Sequence, residues 1–256
     1  MCCLSPHLFS ITSENVAKEF NVPREKQDAF ALLSYTKAAN AQKEGKFDSE
    51  IIPVKTIIKD EEGNEKEITV SKDEGIRATT KEQLAKLRPA FDGATTAGNA
   101  SQVSDGAAAV LLMRRSVAEK LGFQIQGKYV ASAVVGCPPR IMGIGPALAI
   151  PAVCKKAGVE IKDIDVFELN EAFASQAVYS IEACGLDINK VNPLGGAIAM
   201  GHRKCHHQLL FSPTHAHNTH TPHTRHNTSP LLSSSKLGAM ESCAGCHVKY
   251  YVSEMG

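Results

Sequence analysis

The chain has 256 residues, of which 43% are hydrophobic and 21% are charged, so it can build the core of one or two domains. This composition excludes collagen-like, wholly disordered and disulfide-framework proteins. The 28 basic and 27 acidic residues are too evenly balanced to indicate a nucleic-acid partner. No apolar stretch reaches the roughly 18 residues of a membrane span, so none is expected.

Residues 1–10 contain no targeting signal that we can identify. The eight cysteines are spread along the chain in the manner of free intracellular thiols. From the residues alone, a chain made as written is therefore expected in the cytosol.

The last fifth of the sequence differs in composition from the rest. Eight of the ten histidines follow position 202, and residues 212–235 are mostly Ser, Thr, Pro, His and Asn. So few apolar residues cannot offset an ordering cost of ~1–2 kcal/mol per residue. We therefore predict a disordered, His-rich tail over residues 203–256.

The tail contains patterns that resemble metal and haem sites. Its histidines are expected to bind Zn or Ni only incidentally, because no second shell would fix them. The sequence Cys243-Ala-Gly-Cys246-His247 fits the pattern for haem attachment, but it has no fold around it. We therefore predict no metal and no cofactor.

Two helices and a hairpin are predicted for the first part of the chain. Thr12 or Ser13 caps a short helix, and a second helix runs between Pro23 and Gly45. Alternating residues over 51–59 and 65–70 predict a β-hairpin. The buried stripe of the second helix is predicted from helical spacing: Ala29, Leu32, Leu33 and Thr36.

From residue 96 onward, strands and helices alternate, which predicts an α/β fold with right-handed crossovers. A continuous apolar run over 106–113 is typical of a strand buried on both faces. The segments that follow are a helix from Ser116 to Gly122, a strand over 127–136, a helix over 146–157, a strand over 165–169, a helix over 171–184 and a Gly-rich turn over 193–202.

Polar residues that follow the strands are the candidate site residues. Asn170 and Glu171 come directly after the strand over 165–169, where an amide can position a water or act only as a helix N-cap. His202 ends the Gly-rich turn, where it can be a general base or an ordinary surface histidine. The segment Asn99-Ala-Ser101 can bind a ligand or form a simple turn.

Three motifs give these candidates a family context. They are Thr96-Ala-Gly-Asn-Ala-Ser-Gln-Val-Ser-Asp-Gly-Ala-Ala-Ala109, Asn170-Glu-Ala-Phe173 and Asn192-Pro-Leu-Gly-Gly-Ala-Ile-Ala-Met-Gly-His202. In order and spacing they resemble the thiolase family, and in particular its peroxisomal branch. The resemblance runs from about Ile11 to His202.

The resemblance implies an acyltransferase of fatty-acid β-oxidation, which cleaves a 3-ketoacyl-CoA with free CoA to give acetyl-CoA and a shortened acyl-CoA. CoA is then a co-substrate, and no other cofactor is implied. His202 would activate a nucleophilic cysteine, and Asn170 would hold the water of the oxyanion site. Glu171 would orient these neighbours, Arg77 would lie near the CoA nucleotide, and Ser101 would lie near the pantetheine arm.

The resemblance also implies a partial thiolase-like fold, incomplete at both ends. Residues 1–10 are divergent, 11–95 correspond to a remnant of the family's loop domain, and 96–202 correspond to most of its C-terminal βαβ half. The family's nucleophilic cysteine belongs to an amino-terminal half that is not matched. A later Cys-x-Gly segment of the family carries an acid/base cysteine, and we find no counterpart for either cysteine.

Two readings of function follow. In the first, the chain is a thiolase-family acyltransferase by descent that is inactive alone, and the resemblance then places it in peroxisomes. In the second, it is a non-catalytic fragment that binds CoA esters or thiolase subunits. Because the matched part lacks a covering half, we expect it to self-associate or to join other thiolase chains.

Overall fold

The computed structural model describes residues 6–60, 62–90, 92–104, 109–201, 236–244 and 247–255. His202 and the histidines over 206–226 lie outside these residues. The helices are α1 (Pro6–Glu19), α2 (Arg24–Lys43), α3 (Lys81–Ala85), α4 (Arg115–Leu121), α5 (Gly145–Ala157), α6 (Ala174–Cys184) and α7 (Ala197–Met200). The strands are β1 (Val54–Lys59), β2 (Glu65–Val70), β3 (Lys128–Gly136), β4 (Val166–Glu168), β5 (Lys236–Ala244) and β6 (His247–Met255).

The first helix begins earlier than the sequence predicted. Because α1 starts at Pro6, Thr12 and Ser13 lie inside it and are not caps. The Ser13 hydroxyl lies 2.8 Å from the hydroxyls of both Thr95 and Ser175, so it joins α1 to two distant segments. A buried hydroxyl in mid-helix is stable here because it is paired.

Helix α2 has the predicted limits but buries a different face. Pro23 precedes its first turn, and Gly45, at φ +69°, follows its end. The predicted stripe is wrong, because Ala29 and Thr36 are exposed and both leucines are only half-buried. The face that is buried mixes polar and apolar residues. Its members are Gln27, Asp28, Phe30, Ala31, Ser34, Tyr35, Ala38 and Ala41. Apolar periodicity could not identify that face.

The hairpin is confirmed. Strands β1 and β2 pair antiparallel from Val54 with Val70 to Lys59 with Glu65. Asp60 closes the turn, because its side chain accepts hydrogen bonds from the backbone amides of Glu62 and Asn64 at 3.0 and 2.8 Å.

The apolar run over 106–113 does not form the predicted buried strand in the part that is described. Residues 109–113 are extended without a strand assignment, and Val110, Leu111 and Leu112 are 54%, 73% and 75% exposed. The run pairs with no strand among the described residues. Its sequence is therefore that of a core strand, but its environment is not.

The main sheet has four strands in the order β3-β6-β5-β4, in which β4 and β5 are parallel and β6 is antiparallel to both β5 and β3. Strands β5 and β6 lie within the segment predicted to be a disordered tail, so the structure differs from that prediction over residues 236–244 and 247–255. The reason is local composition: Leu237, Met240 and the Val248–Val252 region restore the apolar and aromatic content that residues 212–235 lack. The rest of the predicted tail is outside the described residues.

The core lies between the sheet and helices α2, α5 and α6. Its buried members include Phe30, Ile150, Phe167, Leu169 and Ile198. Val191 extends the sheet by one parallel bridge to Phe167, which carries the chain directly into the Gly-rich turn. None of the helices in the described part of the chain is long and apolar enough to cross a membrane.

Candidate functional site

Asn170 lies in a turn and not on a helix. Strand β4 ends at Glu168 and α6 begins only at Ala174, with Phe173 in the capping position. The N-cap interpretation of Asn170 is therefore wrong, and so is the expectation that α6 begins at Glu171. Asn170 is 4% exposed, and its backbone oxygen accepts a hydrogen bond of 2.8 Å from Gln176.

Glu171 is the centre of a buried polar cluster. Its carboxylate accepts hydrogen bonds from the Ser34 hydroxyl at 2.7 Å, from the Asn192 side-chain amide at 2.7 Å and from the Ile198 backbone amide at 3.2 Å. The donors come from α2, from the start of the Gly-rich turn and from α7. One carboxylate thus ties together three separate parts of the chain.

Asn192 connects this cluster to the end of the sheet. Its side-chain oxygen accepts the Leu169 amide at 2.7 Å, and its side-chain nitrogen donates to the Leu169 carbonyl at 2.8 Å. The side chain therefore continues the pairing that Val191 begins. The backbone of Asn192 has φ +43°, a conformation that asparagine tolerates better than most residues.

The Gly-rich turn packs tightly against both Glu171 and α2. A methyl group on Gly196 would overlap the Glu171 carboxyl group, and one on Gly195, where φ is +89°, would lie 2.6 Å from Cβ of Ala38. Glycine is required at both positions, because neighbouring atoms occupy the space that a Cβ atom would need. The turn delivers the chain to Gly201, the residue before His202.

Burial dominates the electrostatics of the cluster. It raises the pKa of Glu171 above its ordinary value of 4.5, although the three hydrogen bonds and nearby Lys37 act in the opposite direction. Burial also lowers the pKa of Lys37, whose ammonium group donates to the carbonyl oxygens of Ile188 and Val191 at 3.0 and 2.7 Å. The turn around Asn170 is thus held in a largely water-excluded setting.

Ser101 is held beside the Asn170 turn by backbone bonds. Its amide donates to the carbonyl of Ala172 at 3.0 Å, and Ala174 donates to the carbonyl of Asn99 at 2.9 Å. Asn99 is fully buried and donates from its side chain to Asp28 at 2.9 Å. The segment Asn99–Ser101 is therefore anchored against the turn that carries Asn170.

A groove of about 550 Å³ lies beside this cluster. Its lining includes Val54 and Val70 at the base of the hairpin, together with Gln102, Met200 and Gly201. The Gln102 side chain donates to the carbonyl oxygens of Gly75 at 2.9 Å and of Ala199 at 3.0 Å, which fixes its position in the lining. Arg77 is exposed, and neither it nor Ser101 lines the groove, although each is close in sequence to a residue that does.

Neither Cys154 nor Cys184 is an activated nucleophile. Burial raises the pKa of Cys154, and burial together with Cys154 raises that of Cys184 to about 11, so both remain thiols. Cys137 lies in the turn after β3, where its thiol contacts the carbonyl of Met142 at 3.8 Å. In the described residues no group of three or more His, Cys, Asp or Glu could hold a metal ion.

One cysteine of the predicted tail lies in the main sheet. Cys243 lies at the end of β5, where it pairs with Val248, and it begins a Cys-x-Gly sequence, Cys243-Ala-Gly245. Strand β5 runs parallel to β4, with Glu168 opposite Met240, so the ends of both strands reach the same edge of the sheet. That edge carries the Asn170 turn. The sequence alone relates this segment only to the haem-attachment pattern.

Comparisons with known proteins agree with this architecture. The profile of the thiolase N-terminal domain matches residues 1–116, and that of the thiolase C-terminal domain matches residues 123–204. The peroxisomal 3-ketoacyl-CoA thiolase of Yarrowia lipolytica is 63% identical over 203 residues, and that of Homo sapiens is 61% identical. Each alignment covers 78% of this chain and 49% or 47% of the relative, so the chain spans about half the length of these proteins.

Solved structures extend the likeness beyond the aligned sequence. The dimeric peroxisomal thiolase of Saccharomyces cerevisiae superposes with a TM-score of 0.81 at 44% identity, covering 99% of this chain and 60% of that one. Human mitochondrial 3-ketoacyl-CoA thiolase superposes with a TM-score of 0.82 at 34% identity, covering 97% and 60%. Such coverage requires β5 and β6 to take part. The motifs, the two domain profiles and the superpositions together establish that the chain belongs to the thiolase family.

Proposed function

We propose that this chain carries one half of the acyl-transfer site of a 3-ketoacyl-CoA thiolase. The observation that carries the proposal is the Glu171 cluster, which joins the turn bearing Asn170 to the segment that ends at Gly201, directly before His202. Family membership supplies the reaction: a 3-ketoacyl-CoA and free CoA give acetyl-CoA and a shortened acyl-CoA. The names of the relatives support action in peroxisomes.

Each candidate residue has a role in that reaction. His202 takes the proton from the nucleophilic cysteine and stabilises the thioester oxygen, and Asn170 holds the water that completes the oxyanion site. Ser101 contacts the pantetheine arm, and Arg77 lies near the phosphates of the CoA nucleotide. The anchoring of Asn99–Ser101 to Ala172 and Ala174 supports a fixed place for Ser101.

Cys243 is our candidate for the acid/base thiol. Cleavage of the bond between C2 and C3 of a 3-ketoacyl-CoA leaves a carbanion on the departing acetyl-CoA, and a thiol at this edge of the sheet supplies its proton. The parallel register of β4 and β5 supports the assignment. We propose no nucleophilic cysteine among the described residues, because burial raises the pKa of the buried Cys154 and of the half-buried Cys184.

The proposal predicts binding without turnover. The purified chain should bind acetyl-CoA in calorimetry, and it should not cleave acetoacetyl-CoA, because covalent acyl transfer has no first step without a thiolate beside His202. Arg77→Ala and Ser101→Ala should each weaken binding about fivefold, the effect of losing one hydrogen bond or charge contact. Ser132→Ala, which alters a hydroxyl on β3 that accepts from Tyr129, is the matched control.

Two results would contradict this function. If acetyl-CoA bound equally well to wild type, Arg77→Ala and Ser101→Ala, the CoA roles of these residues would be wrong. The chain alone could also cleave acetoacetyl-CoA at a rate within tenfold of an intact thiolase, with the activity abolished by His202→Ala. The prediction that the chain lacks a nucleophilic cysteine would then be wrong.

A second candidate function is supported by the exposed apolar run over 109–113. Three of its side chains are more than half exposed, and Leu121 and Phe123 extend the surface at 60% and 52%. An extended segment of this kind offers apolar surface to another chain. We propose that the chain joins copies of itself or full-length thiolase subunits through this surface, with or without catalysis.

Light scattering and co-purification test this second function. We expect oligomers at micromolar concentration, or capture by an intact thiolase such as the yeast enzyme on co-expression. A single 27.4 kDa species with no capture would refute it.

A further inference from the structure

Ser34 joins α2 to the Gly-rich turn through a single hydroxyl group. Its side chain is buried, and Ser34 is 2% exposed. The hydroxyl donates to Oε2 of Glu171 at 2.7 Å and accepts the Gly196 amide at 3.1 Å. It therefore contacts both the carboxylate beside Asn170 and the backbone of the turn that leads to Gly201.

This bonding is unusual for a serine in a helix. A hydroxyl in a helix commonly bonds back to the carbonyl of the preceding turn, as Thr36 does to Leu32 at 2.8 Å on the same helix. Ser34 instead directs its donor and its acceptor outward, to Glu171 and Gly196. Serine is also a poorer helix former than alanine, so the hydroxyl brings no local advantage to α2.

The contact requires a group that donates and accepts at once. Alanine does neither, and a thiol donates only weakly. Without the hydroxyl, the Gly196 amide loses its acceptor and the Glu171 carboxylate loses one of its three donors. A buried polar group left without its partner costs more than the original bond contributes.

We propose that Ser34 is a positioning residue of the site, which sets the spacing between the Asn170-Glu171 turn and the segment ending at Gly201. The proposal rests on the proposed function only in treating these two segments as parts of a catalytic site. The coupling between them through Ser34 is independent of catalysis. Ser34 touches no reacting atom and acts through Glu171 and Gly196.

Hydrogen exchange measures this coupling directly. In Ser34→Ala we expect the amides over 194–201 to exchange about tenfold faster than in wild type, the equivalent of one lost hydrogen bond. Ser180→Ala is the matched control, since Ser180 is fully buried on α6 and donates to the Gln176 carbonyl at 2.8 Å. Equal exchange over 194–201 in both variants would overturn the proposal.

A second readout separates positioning from general loosening. Titration of the Glu171 carboxyl, followed by NMR of protein labelled with carbon-13 at glutamate Cδ and assigned with Glu171→Gln, should move to higher pH in Ser34→Ala, because a donor to the charged form is gone. It should not move in Ser180→Ala. An unchanged titration in Ser34→Ala would also overturn the proposal.

Ser34→Cys keeps the shape of the side chain but replaces the hydroxyl with a larger, weakly donating thiol, and it decides the question if the alanine variant does not fold. It should lie between wild type and the expected alanine phenotype in both measurements. Because neither measurement uses a CoA ester, a failure here is distinct from a failure of the proposed function.

Discussion

Two regions of this chain differ in the burial of their side chains. Around Glu171, carboxylate, amide and hydroxyl groups are buried and paired, and the apolar residues beside them are covered. Over residues 109–123, leucines and a phenylalanine face solvent on an extended segment and on α4. The region around Glu171 lies within the match to the thiolase C-terminal domain profile, and residues 109–116 lie within the match to the N-terminal one.

The difference separates what this chain completes alone from what it leaves to another chain. A buried polar cluster can form only where every donor finds its acceptor, and the Glu171 cluster draws all of its described partners from this chain. The apolar run has the composition of a core but no covering layer among the described residues. We therefore expect the region around Glu171 to be rigid, and we expect the run over 109–113 to be available for association with another chain.

The largest expected effect is at Gly196. Gly196→Ala should lower the free energy of unfolding by about 3 kcal/mol or more, because its methyl group would overlap the Glu171 carboxyl group and the backbone there cannot shift freely. Urea denaturation measures this effect. Gly136→Ala in β3 is the control, since a methyl group there meets no atom within 4 Å. Equal stability of the two variants would mean that the cluster is not tightly packed.

Asn192 is expected to come next. Asn192→Ala removes both bonds to Leu169 and one to Glu171, and it places alanine at φ +43°, so we expect a loss of about 2–3 kcal/mol in urea denaturation. Asn189→Ala is the control three residues earlier, where the side chain is exposed and bonds only to Asp187 among described groups. A loss below that of the control would contradict the role given to Asn192.

A charge in the apolar run tests the other region. Leu111→Lys should weaken association about tenfold in sedimentation, with little change in stability, because the side chain is already 73% exposed in the single chain. Leu148→Lys on α5 is the matched control, an exposed leucine outside the run at 42%. Equal weakening by both variants would show that the run is not the interface.

The sequence predicted the secondary structure better than the environment of each element. The hairpin, α2, α5, β3 and β4 lie close to their predicted positions, because Pro, Gly and alternation mark them locally. The buried face of α2 was missed because it carries Gln27, Asp28 and Ser34, whose partners lie far along the chain. Apolar spacing contains no information about such partners.

The site was predicted by resemblance more than by spacing. Spacing alone left Asn170 as a possible helix cap, and only the structure shows that α6 begins four residues later. Strand β5, which contains Cys243, was not predicted, because the polar residues before it suggested that the whole tail is disordered, whereas β5 and β6 pair with the main sheet. Roles at His202 stay a prediction, because it lies outside the described residues.

The smallest expected effect is the pH dependence that comes from Glu171. Burial raises its pKa in the folded state above the ordinary 4.5, so the folded protein holds this proton more tightly than the unfolded chain does. The contribution to stability is therefore full below pH 4.5 and is lost as pH rises through the folded-state pKa.

Urea denaturation from pH 4 upward should show this loss in wild type. Glu171→Gln should not show it, because glutamine does not titrate, although the variant should be less stable overall because its amide nitrogen would meet the Asn192 donor. Glu182→Gln, at an exposed ion pair with Lys26, should retain the wild-type trend. A Glu171→Gln variant that also retained it would mean that another group controls the pH response.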